Sequence, residues 1–393
     1  MGRCGVSSRR ATFYKVSMPF DVGDFSGASF SDRAASRRNR RLVAGWLFAL
    51  AAMVLVMIGL GGATRLSGSG LSIMEWAPIV GTLPPLSQQE WDRLFELYRQ
   101  IPQFALINPD FTLADFKGIF WLEWTHRLWG RLLGLAFAVP LAWFWATGRI
   151  DRRLIPRLLL LFALGGLQAL VGWFMVASGF LPDATTVSPY RLVAHLSLAL
   201  ILYGALIWMG LSLARPPRKP PAEAAASGPS STRLTHLRIW AMLSLVLVSL
   251  TVVAGGFVAG TRAGLTYNTF PLMDGRFFPN GYFGPLPFMR NLAENITAVQ
   301  FNHRILATVS ALVVLATLVS GWRGRASTAI RAPLILLGLC LIVQYALGVM
   351  TLLHAVPLIL ATAHQLCASL LLAATILVLH SATVSESRHG SPG

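Results

Sequence analysis

The chain has 393 residues, of which 54% are hydrophobic and only 12% charged, and its mean hydropathy is +0.60. Its apolar residues come in runs of about 20, long enough to cross a bilayer as helices; eight such runs leave too little polar chain to clothe a water-soluble domain. The formal charge of +17 sits in the joints between the runs, a pattern that belongs to membrane topology and argues against a nucleic-acid partner.

In chain order, residues 1–41 are basic and Ser-rich and read as a disordered cytoplasmic tail. RRATFYKVSMPF and SFSDRAASRRNRR have the charge of a transit peptide, but Asp21, Asp24 and Asp32 dilute that signal and no cleavable secretory pattern precedes them. Eight spans follow, at 42–62, 119–142, 157–179, 192–214, 238–260, 300–320, 332–352 and 359–380. Arg37, Arg38, Arg40 and Arg41 precede the first span, and Arg149, Arg152, Arg153 and Arg157 follow the second. Arg215, Arg218 and Lys219 follow the fourth, and Arg323, Arg325 and Arg331 the sixth. If the spans alternate, these joints and both termini share one side, which the positive-inside rule assigns to the cytoplasm, or to the matrix in an organelle.

The opposite joints, 63–118, 180–191, 261–299 and 353–358, lack that bias and face outward. In the first, PLSQQEWDRLFELY places Ser87 as a cap before an acidic segment of helical apolar period, which predicts a short helix over the outer face. In the third, GLTYNTFPLMDGRFFPNGYF at 264–283 supplies aromatics suited to the interface. Cys4 lies in the tail and Cys340 and Cys367 in apolar spans, so the outer joints contain no cysteine to pair; the two buried ones read as small apolar fillers.

The segment SLARPPRKPPAEAAASGPSSTR at 212–233 reads as a flexible linker that divides the spans four and four. This gives an N-terminal half at 42–214, a linker at 215–237, a C-terminal half at 238–380 and a cytoplasmic tail at 381–393. The halves repeat. GGATRLSGSGLS at 61–72 answers GGFVAGTRAGLT at 255–266, THRLWGRLLG at 125–134 answers NHRILATVSA at 302–311, and QALVG at 168–172 answers QYALG at 344–348. RLVAHLSLAL at 191–200 answers ILATAHQLCA at 359–368. The fold class is therefore an all-α polytopic membrane protein built as a tandem pair of four-helix units.

The repeat puts one histidine on each even-numbered span, His126, His195, His303 and His364, all toward the outer end. A single such histidine is ordinarily an interfacial or locally hydrogen-bonded residue; recurrence at matched depth points to function. Two neutral imidazoles converging inside a four-helix unit suit axial ligation of haem iron, whereas zinc asks for more ligands than each unit offers. Arg65, Arg127, Arg262 and Arg304 lie on the side where positive charge is not favoured and are either partners for propionates or snorkelling side chains. Gln168 and Gln344 either line the same cavities or bond between helices. Glu123 precedes His126 by one helical turn, while Gln300 stands at the matching place before His303, so the carboxylate marks the N-terminal half as the one suited to chemistry.

These residues together closely resemble the haem A synthase family: GGATRLSGSGLS, the glutamate, histidine and arginine of Glu123 to Arg127, NHR at 302–304, TYNTFPLMDG at 266–275, and the histidines of spans four and eight. The resemblance implies eight spans in two pseudo-twofold-related four-helix bundles. It implies a haem b cofactor held by His303 and His364, substrate haem O near His126 and His195, and an essential carboxylate at Glu123. The reaction it implies oxidises the C8 methyl of haem O to a formyl group through a hydroxymethyl intermediate, giving haem A for terminal oxidases. Some relatives carry a cysteine pair in the first outer joint; this chain has none there and resembles the cysteine-free branch of mitochondria and related bacteria. The implied setting is a bacterial inner membrane, with the mitochondrial inner membrane as the alternative. The implied partners are membrane lipids, a haem O synthase, cytochrome oxidase assembly factors and an electron acceptor that the sequence does not identify, with homo-oligomerisation left open. A non-catalytic bis-histidine cytochrome or a haem carrier is the competing reading.

Overall fold

The computed structural model describes residues 30–77, 80–214, 231–323 and 328–389. The expected tail at 1–29, the linker at 215–230 and the end at 390–393 lie outside the described residues. The described residues form helices and no strand: α1 (Phe30–Leu66), α2 (Gln88–Arg99), α3 (Pro102–Ile107), α4 (Leu113–Ala146), α5 (Ile155–Ala177), α6 (Pro189–Ala214), α7 (Ser231–Gly260), α8 (Phe288–Glu294), α9 (Ile296–Arg323), α10 (Thr328–Leu353) and α11 (Leu358–His389). Eight of them, α1, α4, α5, α6, α7, α9, α10 and α11, are long and apolar enough to cross a membrane.

The helices overrun the expected spans where local chemistry favours continuation. α1 starts at Phe30, inside the segment expected to be an unstructured tail, because Ala and Arg are strong helix formers and no Pro or Gly interrupts 30–44. α7 begins at Ser231 within the expected linker, and α11 continues to His389 through most of the expected tail. α4 starts earlier than hydropathy indicates because Thr112 and Asp115 form a capping box; Asp115 Oδ2 accepts from the Thr112 N–H at 2.9 Å. The short outer helix predicted from PLSQQEWDRLFELY is α2, with Ser87 Oγ accepting from the Glu90 N–H at 3.2 Å.

In the first half α1 packs on α4 and α6, and α5 packs on both as well, so the four helices close a ring. In the second half α7 packs on α9 and α11, and α10 does the same. The rings meet through α1, α6, α7 and α11. Gln365 Nε2 donates to the Ile58 carbonyl at 2.9 Å across this seam, and Arg65 Nη1 donates to the Ala259 carbonyl at 2.6 Å.

The main apolar core fills only part of this body. On α1, α5, α7 and α10 its buried residues, among them Leu47, Leu158, Ala241 and Leu337, all precede Gly61, Gly172, Gly255 and Gly348. On α4, α6, α9 and α11 its buried residues, among them Phe137, Leu141, Phe144, Leu206 and Val314, all follow the histidines. Close apolar packing, which supplies most of the stabilisation through dense dispersion contacts, therefore occupies the side of the basic joints and ends at the level of the four imidazoles. A second cluster of Leu71, Trp91, Leu94, Tyr98, Ile101, Phe116 and Phe120 seats α2 against the start of α4.

Candidate functional site

Each histidine on an even-numbered span packs on a glycine of the preceding odd-numbered one. His195 of α6 lies on Gly172 of α5, His303 of α9 on Gly255 of α7, and His364 of α11 on Gly348 of α10. A methyl group built on these glycines would stand 2.7, 3.0 and 2.9 Å from the respective Cε1 atoms, closer than ordinary Cβ contacts. His126 of α4 lies on Gly61 of α1. The histidines fall two to a half, His126 and His195 in the first ring of helices and His303 and His364 in the second. All four retain some accessible surface although they pack against neighbouring helices. Among the described residues no three His, Cys, Asp or Glu side chains gather as a cage for an ion. Each half therefore offers its imidazoles as a pair, the donor set that suits axial ligation of a macrocycle.

Above the first pair, the carboxylate and arginine of α4 clasp the outer loop. Glu123 is 2% exposed. Its Oε2 accepts from the Ser72 hydroxyl at 2.7 Å and from the Ile73 N–H at 2.9 Å, and its Oε1 accepts from Arg127 Nη2 at 2.6 Å and Nε at 3.1 Å. Arg127 in turn donates to the carbonyls of Ile73 and, at 3.0 Å, Glu75. A buried carboxylate is tolerated because four donors offset its lost hydration.

The second half repeats the clasp with reversed polarity. Gln300 Nε2 donates to the carbonyls of Ala263 at 2.9 Å and Tyr267 at 3.3 Å, while its Oε1 accepts from Arg304 Nη2 at 3.2 Å. Arg304 also donates to the carbonyls of Tyr267 and Thr269, both at 2.8 Å.

The expected polar residues thus divide. Arg127 and Arg304 are engaged by loop carbonyls; Arg65 donates to the Ala259 carbonyl near the end of α7, and Arg262, just beyond that end, is in the left-handed conformation with φ 55°. Gln168 Nε2 donates to the His195 carbonyl at 3.0 Å, bonding between helices, and stands 3.4 Å from His195 Nε2. The Gln344 Oε1 is buried without a hydrogen-bond partner. Outside the helices, Arg93 forms a bidentate pair with Glu75 at 2.8 and 2.9 Å and also binds Glu90; its guanidinium holds both carboxyls below the usual carboxylate range. Tyr98, Gln103 and Asn108 bond to one another and, through Gln103 Nε2, to the Gly68 carbonyl at 2.9 Å, fixing the other end of the loop.

Residues 44–376 match the cytochrome oxidase assembly protein family. Over 346 residues, 88% of either chain, the sequence is 58% identical to a heme A synthase of Granulibacter bethesdensis. The chain belongs to the haem A synthase family. It is also 48% identical to heme A synthase 2 of Acidiphilium cryptum, covering 88% of this chain and 92% of that one. A heme A synthase of Methylobacterium sp. is 47% identical over 88% of this chain and 93% of its own length. Relative to the residues expected to serve a haem A synthase fold, sequence reasoning missed the four glycines and Ser72. QALVG and QYALG contained the signal for Gly172 and Gly348, since each repeats a glycine four residues after the glutamine. Ser72 had none, because its role depends on how the loop folds back on α4.

Proposed function

We propose that this chain oxidises the C8 methyl of haem O to the formyl of haem A, with haem O bound between His126 and His195 and a resident haem b between His303 and His364. The observation that carries this reading is the recurrence of half-buried imidazoles, two to a half and each packed on a glycine of the preceding span, in a member of the haem A synthase family. The residues fit such a group: the glycines let an imidazole sit closer to the preceding helix than a Cβ would allow, and the Nδ1 atoms of His195 and His364 are buried without a hydrogen-bond partner. Haem b, when bound, supplies one-electron redox capacity.

In this proposal the conversion of methyl to formyl consumes one water and releases four electrons and four protons to an external acceptor. Glu123 is the carboxylate of the reactive half; its Oε2 already shares the Ser72 hydroxyl proton, a route by which a proton reaches the loop side. The clasped loop and α2 exclude bulk water from the outer end of the first ring. Arg65 and Arg262 at the seam are the proposed propionate partners: Arg65 commits one guanidinium nitrogen to the Ala259 carbonyl, whereas Arg127 and Arg304 each donate to at least two loop carbonyls and to the side chain four residues before. We place both termini and the basic joints in the cytoplasm of a bacterium, in its inner membrane, on the charge asymmetry of the joints. The two rings are proposed as pseudo-twofold-related domains on their matching neighbour patterns, and a haem O synthase and oxidase assembly factors as partners.

One observation favours the non-catalytic cytochrome or haem carrier instead: both Glu123 oxygens are already occupied in the clasp. Expression with a source of haem O and an electron acceptor separates the readings. Extracted haems should contain haem A and its hydroxymethyl precursor; bound haem with neither product would sink the synthase proposal.

A further inference from the structure

The first half leaves a gap between α4 and α5 that the second half closes. On α5, Phe162, Gly166, Ala169 and Trp173 share one helix face. Phe162 meets Phe137 of α4 with ring centroids 5.5 Å apart, and Trp173 meets Trp76 of the outer loop at 5.6 Å. That loop is tied to α4 by Arg127 and by Arg131, whose Nη2 donates to the Ala77 carbonyl at 2.7 Å. Between the two aromatic contacts the helices stand apart: a Cβ built on Gly134 of α4, or on Gly165 or Gly166 of α5, would meet nothing within 4 Å. Gly165 is two helical turns before Gly172 and one after buried Leu161, on the face that α5 turns into the ring. Phe162, Trp173 and Trp76 are exposed, so the gap opens sideways, at a depth where the surroundings of a span are lipid.

The repeat supplies the comparison. QALVG and QYALG set Tyr345 of α10 at the place of Ala169; THRLWGRLLG and NHRILATVSA set Thr308 of α9 at the place of Arg131 and Ala311 at that of Gly134. The Tyr345 hydroxyl lies 3.4 Å from Thr308 Oγ1 and so bridges α10 to α9, and Phe270 of the outer loop packs edge-on to the tyrosine at 6.3 Å. Leu341, at the place of Gly165, is buried in the apolar core, and Ala311 packs on that core. A phenol and an isobutyl group thus occupy in the second half what stays open in the first.

The two haems of the proposed reaction differ in a matching way. In place of one vinyl group of haem b, haem O carries a long farnesyl chain with a hydroxyl at its root. Such a chain must leave water, and the close-packed core beneath the histidines has no room for it without disruption. A buried acceptor stands beside the gap: Gln168 Oε1, on the residue before Ala169, has no hydrogen-bond partner, and the hydroxyl of haem O is a donor. Gln344 Oε1 is unpartnered as well, so the amides mark both halves as ligand sites and the gap is what separates them.

We infer that the gap between α4 and α5 seats the farnesyl chain of haem O. Gly134, Gly165 and Ala169 admit the chain, and Leu341 and Tyr345 exclude it from the second half. These residues determine specificity: they select a prenylated haem for the reactive half without touching the methyl that reacts. The inference rests on the haem reading proposed above and names the part of the substrate that the first half recognises.

The test uses full-length protein with His303→Ala and His364→Ala, so that added haem binds only the first site, titrated with haem O and with haem b and followed by absorption. Gly165→Leu with Ala169→Tyr installs the residues of the second half. Affinity for haem O should fall about tenfold or more, as expected for the lost burial of a few methylene groups, while that for haem b changes less than about threefold. Retained haem b binding also shows that the variant is folded. Gly134→Leu, which fills the gap from α4, should repeat the selective loss. Equal falls for both haems, or an unchanged affinity for haem O in both variants, would overturn the assignment and leave the haem reading standing. Binding of neither haem by the parent first site would remove the haem reading and the inference with it.

Discussion

Glu123 and Gln300 stand at equivalent positions on α4 and α9, yet the carboxylate receives every hydrogen bond it makes with the outer loop, whereas the amide donates to loop carbonyls. The arginine four residues later completes the clasp in both halves. The same scaffold therefore carries one carboxyl clasp and one amide clasp, and only the carboxyl group meets a loop that offers a hydroxyl and an N–H.

Glu123→Gln should fail in a way that Gln300 does not. The new amide N–H₂ would face either the Ile73 N–H, beside the Ser72 hydroxyl, or Arg127, and leave at least one buried donor unmet, at a cost of about 1–3 kcal/mol. Thermal unfolding in detergent should show that loss, and conversion of haem O should stop. Ser72→Ala removes one donor but keeps the carboxylate and should cost about 1 kcal/mol. Normal haem A formation by Glu123→Gln would take the carboxylate out of the proposed chemistry.

His303→Ala or His364→Ala should each strip the resident haem, leaving purified protein with a diminished b-type spectrum and a helical content like that of the parent. An unchanged spectrum in either variant would refute its assignment as a ligand. Loss in one variant alone would mean that the second imidazole is not a ligand.

The seam between the halves should be sensitive at Gly260. A Cβ there would stand 2.8 Å from both Cα and Cβ of Pro189, atoms that cannot swing aside, so Gly260→Ala should destabilise by about 1–3 kcal/mol. Gly166→Ala is the comparison: nothing lies within 4 Å of its Cβ position, and replacing a mid-helix glycine should stabilise by about 0.5–1 kcal/mol. The two midpoints of thermal unfolding should move in opposite directions.

The attachment of α2 should weaken in acid. The Arg93 guanidinium holds the Glu75 and Glu90 carboxyls below their ordinary range, so their contribution is fully present above the ordinary carboxylate pKa, about 4.3 for glutamate. It is lost as pH falls through the lowered values of the folded protein. Both carboxylates are largely solvent-exposed, so the effect should be modest and salt-sensitive. Hydrogen exchange over 88–99, corrected for intrinsic rates, should be flat between about pH 5 and 7 and rise below about 4. Arg93→Ala should remove the pH dependence.

Much of the molecule was legible without coordinates. Runs of apolar residues fixed eight crossings because a bilayer sets the length of a helix that must satisfy its own backbone. The internal repeat assigned one histidine to each even-numbered span, and Ser87 marked the start of α2, since a cap is a local exchange of hydrogen bonds. Helix ends were less legible: hydropathy stops at the bilayer, whereas α1, α7 and α11 continue through residues whose intrinsic preference is helical.

The site's working arrangement belongs to the tertiary structure. Helical period tells which face a residue shares but gives neither its rotamer nor its partner on another element. Ser72 reaches Glu123 across 51 residues of sequence, and nothing local to either residue encodes that meeting. The sequence put Glu123 and His126 one turn apart and suggested a common task; folding sent the carboxylate up into the loop and laid the imidazole on Gly61. Sequence determined which residues were available at that depth, and packing between helices decided which way each one faces.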